Sequence, residues 1–139
     1  MTRLERRAFL LDGARTASLA TVREDGRPHV APVWFDLDDD DTFVFTTGET
    51  SIKGRSILYD PRLALCVDDP TPPFAFVTIE GTAEISRDLA DLMTWATRIG
   101  GRYMGAVRAP EFGERNAAAG ELLVRVRAER TIGRTNIAE

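Results

Sequence analysis

Apolar and polar positions change period several times along this chain, and each change marks an element. Leu4, Ala8 and Leu11 share one helical face while Arg3, Glu5, Arg6 and Arg7 point away, so the spacing predicts an opening helix over Leu4–Leu11. From Thr16 to Val22 the period shortens to two and β-branched residues accumulate. Glu24-Asp25-Gly26 then supplies a turn and His29–Asp36 resumes as a strand, the pattern of a β-hairpin. Asp38–Asp41 makes the next turn, and Thr42–Thr47 reads as a third strand with Phe43 and Phe45 on one face, completing an expected meander. Gly48 breaks the pattern. Thr50 or Ser51 can cap a short crossover helix, which must stop before Asp60-Pro61 because proline disfavours helical backbone at the residue before it.

Beyond that helix, Leu63–Val67 reads as a fourth strand, Pro70, Pro72 and Pro73 as a rigid loop, and Phe74–Ile85 as a long fifth strand with Gly81 at a bulge or bend. Helical period returns over Ser86–Tyr103, where Leu89, Leu92, Met93, Ala96 and Ile99 form one stripe and Gly100-Gly101 weakens the end. Met104–Gly120 carries no readable period and is expected to be loop. Glu121–Arg130 alternates apolar residues with Arg125 and Arg127, a sixth strand with one polar face. Six strands and few helices imply a mainly β domain in which the sheet closes, or nearly closes, into a barrel, since closure removes exposed edges. The 139 residues suit one domain spanning 1–139, with no repeat or linker dividing it.

Composition narrows the chemistry. No apolar run approaches the ~20 residues of a membrane helix, and Met1–Asp12 lacks the apolar stretch of a secretory signal, so a cytoplasmic protein is expected. Cys66 is the only cysteine and His29 the only histidine, which leaves little material for a disulfide, a metal centre or a serine–histidine–aspartate arrangement. If the chain is an enzyme, a cofactor is expected to carry the chemistry, and no catalytic residue or metal ligand stands out. A net charge of −4 argues against coating nucleic acid.

The most informative stretch runs from Phe43 to Ile57, passing from a strand through hydroxyls and a glycine into a helix start. Free N–H groups at that start, the hydroxyls of Thr47, Thr50 and Ser51, and the cations Lys53 and Arg55 would together hold a phosphate, each charge-assisted bond contributing about 1.5–3 kcal/mol. An ordinary capped helix with a solvated basic face has the same local pattern.

The flanks change the weight between the two. Asp25-Gly26-Arg27-Pro28-His29-Val30-Ala31-Pro32-Val33-Trp34-Phe35, then Thr46-Thr47 with Ser51-Ile52-Lys53, then Lys53-Gly54-Arg55-Ser56-Ile57, Asp60-Pro61-Arg62 and Glu80-Gly81 follow in order and spacing across Thr16–Ile85. This series resembles the pyridoxamine-phosphate-oxidase-like superfamily of flavin and deazaflavin binders. The resemblance implies a six-stranded split β-barrel with short flanking helices, a homodimer, and a cofactor groove between subunits. It looks most like the branch of coenzyme F420-dependent reductases. Many FMN-binding members carry a basic residue on the strand where Pro32, Val33, Trp34 and Phe35 offer backbone and apolar wall, and Ser56 stands where the deazaflavin branch commonly has Asn.

On that resemblance the cofactor would be F420, with FMN as the alternative. Thr47, Ser51, Lys53 and Arg55 would hold its phosphate, the backbone of Pro32, Val33 and Trp34 together with Thr46 would lie along its ring and chain, and Ile52 would be a further cofactor contact. The implied reaction is hydride transfer to an activated double bond of a small electron-poor molecule. An FMN-dependent oxidoreductase and a non-enzymatic cofactor- or haem-binding member are the other classes compatible with the same pattern. Outside the segment, Arg102 and Tyr103 could line the pocket or be solvated, Arg125 and Arg127 could meet the partner subunit or the cofactor tail or form a wet face, and Cys66 reads as a small hydrophobe in a central strand.

Overall fold

Strand β1 (Ala17–Val22) buries Ala17, Leu19 and Thr21 and turns Ser18 outward, in the computed structural model that describes residues 1–139. The same alternation sends Leu63, Leu65 and Val67 of β5 (Arg62–Asp69) and Val77 and Ile79 of β6 (Ala75–Ser86) into one core. With β2 (Pro28–Val33), β3 (Asp36–Leu37), β4 (Phe43–Gly48) and β7 (Glu121–Arg134) these strands form one antiparallel sheet in the order β2-β1-β5-β6-β7-β4-β3. The outermost strands, β2 and β3, are consecutive in the chain and separated only by Trp34 and Phe35. The sheet therefore curls into a half-barrel whose split lies between its first and last strands.

The sheet has seven strands where the sequence pattern predicts six. The expected strand over His29–Asp36 is cut because α3 (Leu89–Met104) takes the hydrogen bonds a ladder would need at Phe35. The Phe35 N–H donates to the Tyr103 hydroxyl at 3.2 Å, and the Arg102 guanidinium donates to the Phe35 carbonyl. The expected meander is also replaced. Strand β2 pairs only with β1, whereas β4 pairs with β3 and, from Phe43 opposite Val126 to Gly48 opposite Glu121, with β7.

Strand β7 differs from its expected half-wet character in its first half, Leu122–Val126, where both faces are covered, whereas Arg127–Thr131 are exposed. Leu122, Val124 and Val126 join Phe35, Phe43 and Phe45 inside the barrel, while Leu123 packs outside it with Val44, Leu92 and Trp95 under α3. Arg125 is committed to Asp91 of α3 through two bonds of 2.8 Å, whereas Arg127 is exposed. On α3 the buried set is Leu92, Trp95, Ala96, Ile99 and Gly100. Trp95 replaces the exposed Leu89 and Met93 of the predicted stripe, because the helix packs across two strands rather than along one.

The segment expected to be loop contains α4 (Ala109–Asn116), which begins with Pro110 in its first turn and anchors through buried Phe112. The opening helix α1 (Arg3–Leu11) carries a capping box between Thr2 and Glu5. At the expected bulge, Gly81 sits opposite Ala128 while Glu80 sits opposite Arg130, leaving Glu129 as the extra residue. A Cβ at Gly81 would stand 2.5 Å from the Arg127 carbonyl oxygen, so only glycine fits there. No helix is long and apolar enough to cross a membrane.

Candidate functional site

Helix α2 (Ile52–Tyr59) starts immediately after β4, and its docking builds the site. Ser51 is the N-cap: its hydroxyl accepts from the Gly54 N–H at 3.0 Å and donates to the Gly48 carbonyl at 2.8 Å. Thr47, buried at the end of β4, meets the same hydroxyl at 3.0 Å. Gly54 allows the helix to sit directly on the backbone of Gly48 and Glu49. The N–H groups of Ile52 and Lys53 have no acceptor within the protein, and Lys53 makes no ion pair. The first turn of α2 therefore presents unsatisfied donors and an uncommitted ammonium.

These groups open onto a cleft of about 390 Å³ at the split of the barrel. Pro32, Val33 and Trp34 line it from the β2 edge, Thr46, Thr47 and Gly48 from β4, and Ser51 and Lys53 from the start of α2. Seven of the nine residues singled out in the sequence as cofactor contacts thus share one cavity. The other two do not. Ile52 and Arg55 lie in a separate hollow facing Arg23, Glu24 and Asp25 of the β1–β2 turn, because successive helical positions diverge by about 100° and point away from Lys53.

Four further residues complete the lining: Ala96 and Ile99 of α3, Asn116 of α4 and Glu121 at the start of β7. No local motif marks them. Glu121 reaches the cleft through its pairing with Gly48, and Asn116 through a helix in the segment that lacks sequence period. Burial pushes the Glu121 carboxyl above the usual glutamate range.

Trp34 lies in the break between β2 and β3. Its ring stacks on Tyr103 at 4.9 Å between centroids and 3° between planes, and it also contacts Phe112. Tyr103 and Arg102 do not line the cleft; both are half-buried and bonded to backbone carbonyls. The Tyr103 hydroxyl donates to the Arg15 carbonyl at 2.6 Å and accepts from Phe35, and Arg102 donates to the carbonyls of Phe35 and Leu10. Burial raises the Tyr103 pKa, keeping the phenol protonated as a donor. The end of α3 thereby ties the α1–β1 connection to the bend that carries Trp34. His29 stands beside Thr21 across β1 and β2, outside the cleft. Cys66 is half-buried on the outer face of β5, away from the barrel core.

A second hollow, of about 260 Å³, lies between α1 and β6–β7 and is rimmed by Arg3, Arg6, Arg7 and Arg127. Asp41 already pairs with Arg3 and Arg7 there, so half of its cations are internally neutralised. The cleft at the split instead combines unpaired donors with an apolar and aromatic wall.

Residues 4–133 match the family model described as pyridoxamine 5′-phosphate oxidase. Over 89 residues the chain is 39% identical to a pyridoxine/pyridoxamine 5′-phosphate oxidase of Rhizobium johnstonii, a match covering 64% of this chain but 43% of that protein. The chain thus matches less than half the length of these relatives. A conserved hypothetical protein of Mycobacterium tuberculosis has a crystal structure that superposes with TM-score 0.85 at 27% identity, covering 98% of this chain and 86% of that one. A structure described as an F420 reductase superposes with TM-score 0.72 at 28% identity, covering 90% and 94% respectively.

Proposed function

The chain belongs to the pyridoxamine 5′-phosphate oxidase family, and from that membership we propose that it is an oxidoreductase using coenzyme F420 to reduce an activated double bond of a small electron-poor substrate. The observation that carries the proposal is the cleft at the split. Unpaired Lys53 and the free first-turn donors of α2 lie in the same cavity as the apolar wall of Pro32, Val33 and Trp34. That donor set suits a phosphate, and the wall suits a flat ring system. The likeness to the F420 reductase supports the deazaflavin, as does the absence of a basic side chain along Pro32–Phe35.

When bound, a deazaflavin supplies hydride from its ring. The chain's own contribution is positional. Lys53 and the Ile52 and Lys53 N–H groups would hold the anionic chain, with the Thr47 and Ser51 hydroxyls bonded to one another and to Gly48 beneath it, while Thr46 and the β2 edge would lie along the ring so that an acceptor can be aligned over it. Arg55 and Ile52's side chain, facing the other hollow, have no part in that hold.

The cleft is open, and a second copy of the chain is the natural cover. Val30 is 66% exposed, and with Ala20, Ala64 and half-buried Cys66 it forms a small-residue patch on the outer face of β2, β1 and β5, bounded on β5 by exposed Arg62 and Asp68, that continues to Pro32 at the cleft rim. A homodimer through this face would place the cofactor at the subunit interface. Light scattering should give twice the 15.4 kDa of the chain at micromolar concentration, and a monomer would refute that assembly.

FMN is the second reading, favoured by the 39% identity to oxidases named for pyridoxine and pyridoxamine phosphate. Parallel fluorescence titrations with F420 and with FMN, repeated on Lys53→Ala, separate the two. Selective F420 binding weakened about ten-fold or more by the substitution is expected. Selective FMN binding would transfer the protein to the flavin branch, and an affinity indifferent to Lys53 would remove the phosphate assignment.

A further inference from the structure

Glu121 is the only carboxyl group lining the cleft, and nothing in the protein neutralises it. It opens β7 directly opposite Gly48, and its Oε1 lies 3.8 Å from the position a Gly48 side chain would occupy. It makes no side-chain hydrogen bond, and neither Glu121 nor Lys53 has an oppositely charged partner within 4.0 Å. A cation and a carboxyl therefore share one cavity without touching, each free to meet a ligand.

The surroundings offer Glu121 no other compensation. The nearby Glu49, after β4, has its carboxylate paired with Arg87. From α2 only Lys53 faces the cleft, from α3 the uncharged Ala96 and Ile99, and from α4 the neutral Asn116, while Arg115 lies over the Phe112 ring. On β7 itself, Arg125 is held by Asp91. Whenever the Glu121 carboxyl is ionised, an anion entering beside Lys53 meets its charge in a partly desolvated cavity. Protonation removes that repulsion and converts a group that only accepts hydrogen bonds into one that donates.

We infer that Glu121 is the proton-holding group of this cleft: an anion seated at Lys53 binds together with one proton on the Glu121 carboxyl, which then donates a hydrogen bond to the ligand. The inference rests on the phosphate-binding reading of the cleft and adds what that reading lacks, a group that couples ligand charge to protonation. Partial burial of the carboxyl, which already favours its neutral form, acts in the same direction.

Sulfate is a suitable probe because its own charge is constant between about pH 5.5 and 8.5, so any pH dependence belongs to the protein. Binding is followed by tryptophan emission, Trp34 lining the same cleft, and by calorimetry in two buffers of different ionisation enthalpy. The wild-type chain should take up a proton, and its affinity should fall by up to about ten-fold per pH unit between the carboxyl's free and bound pKa values. Glu121→Gln, a permanent donor of the same shape, should bind with a flat pH profile and no proton uptake. Glu121→Asp should keep a slope. Should the Gln variant fail to fold, absence of proton uptake by the wild type overturns the inference. Equal slopes and uptake in wild type and Glu121→Gln also overturn it, leaving the anion site intact. Sulfate that fails to bind the wild type, or binds regardless of Lys53→Ala, instead defeats the phosphate reading and the inference falls with it.

Discussion

A single methyl group added at Gly54 should push α2 away from the end of β4 and carry Lys53 out of the cleft. The new Cβ would lie 2.0 Å from the Gly48 carbonyl oxygen, 3.0 Å from the Gly48 carbonyl carbon and 3.1 Å from the Glu49 Cα. All three obstacles are backbone, so no rotamer change relieves them, and the helix must retreat by about 1 Å. Overpacking of this kind costs about 1–3 kcal/mol. The Gly48 carbonyl also accepts from the Ser51 N–H at 3.2 Å and the Ser51 hydroxyl at 2.8 Å, bonds the retreat would strain at about 1 kcal/mol each. Alanine's better helix propensity returns about 1 kcal/mol. The balance is a loss of about 2–4 kcal/mol, or a fall of about 8–16 °C in Tm for a chain of this size. Urea and thermal unfolding of Gly54→Ala should show that loss with an unchanged m-value. Gly48→Ala provides the control, since its Cβ meets nothing nearer than Glu121 Oε1 at 3.8 Å. A Gly54→Ala chain as stable as wild type, or a Gly48→Ala chain equally damaged, would refute the docking of α2 on β4.

Tyr103→Phe removes the hydroxyl that serves both the Arg15 carbonyl and the Phe35 N–H, so it should cost about 1–3 kcal/mol in urea unfolding and shift Trp34 emission, because the stack loses its tether. Asp91→Asn breaks the two-bond pair with Arg125 and should lower Tm at neutral pH by a few degrees, about 1 kcal/mol for a partly exposed pair. The Arg125 hydrogen bonds hold the Asp91 carboxyl below its ordinary value. The pair's contribution is therefore complete above the unfolded aspartate pKa of about 3.9 and is lost as pH falls through the depressed native one. The Tm gap between wild type and Asp91→Asn should close in that acid window, and a gap constant with pH would contradict the assignment.

The phosphate-holding side of the cleft was legible in the sequence because Thr46 to Lys53 are nearly contiguous, and strand end, cap and helix start are all local features. The helix bounded by Ser51 and Asp60-Pro61 and the bulge at Gly81 were legible for the same reason. The apolar wall was legible only as residues. Its placement depends on the break at Trp34-Phe35, which the alternating pattern of His29–Asp36 conceals. Nothing local announces that hydrogen bonds at Phe35 will be taken by Arg102 and Tyr103. Glu121 and Asn116 were illegible because one reaches the cleft through the β4–β7 register and the other through α4, whose stabilisation comes from packing against α3 rather than from its own sequence period.

That division has a mechanical consequence for the site. The two walls of the cleft are fixed by different parts of the fold: Lys53 by the seat of α2 on Gly48, and Trp34 by the last turn of α3. Because β2 and β3 are not hydrogen-bonded to each other, no ladder sets the width of the split directly. Its width follows from where α3 sits on the outer face of β4 and β7, through Leu92 and Trp95 against Val44 and Leu123, and through the Asp91–Arg125 pair. Tyr103→Phe should therefore loosen the ring-facing wall while leaving the anion-binding donors in place, and Gly54→Ala should do the reverse. A ring analogue without phosphate and sulfate without a ring, titrated into both variants, would read the two walls separately. Equal weakening of both ligands by both substitutions would mean that the walls move as one body, and that the split is set by the barrel itself rather than by its helices.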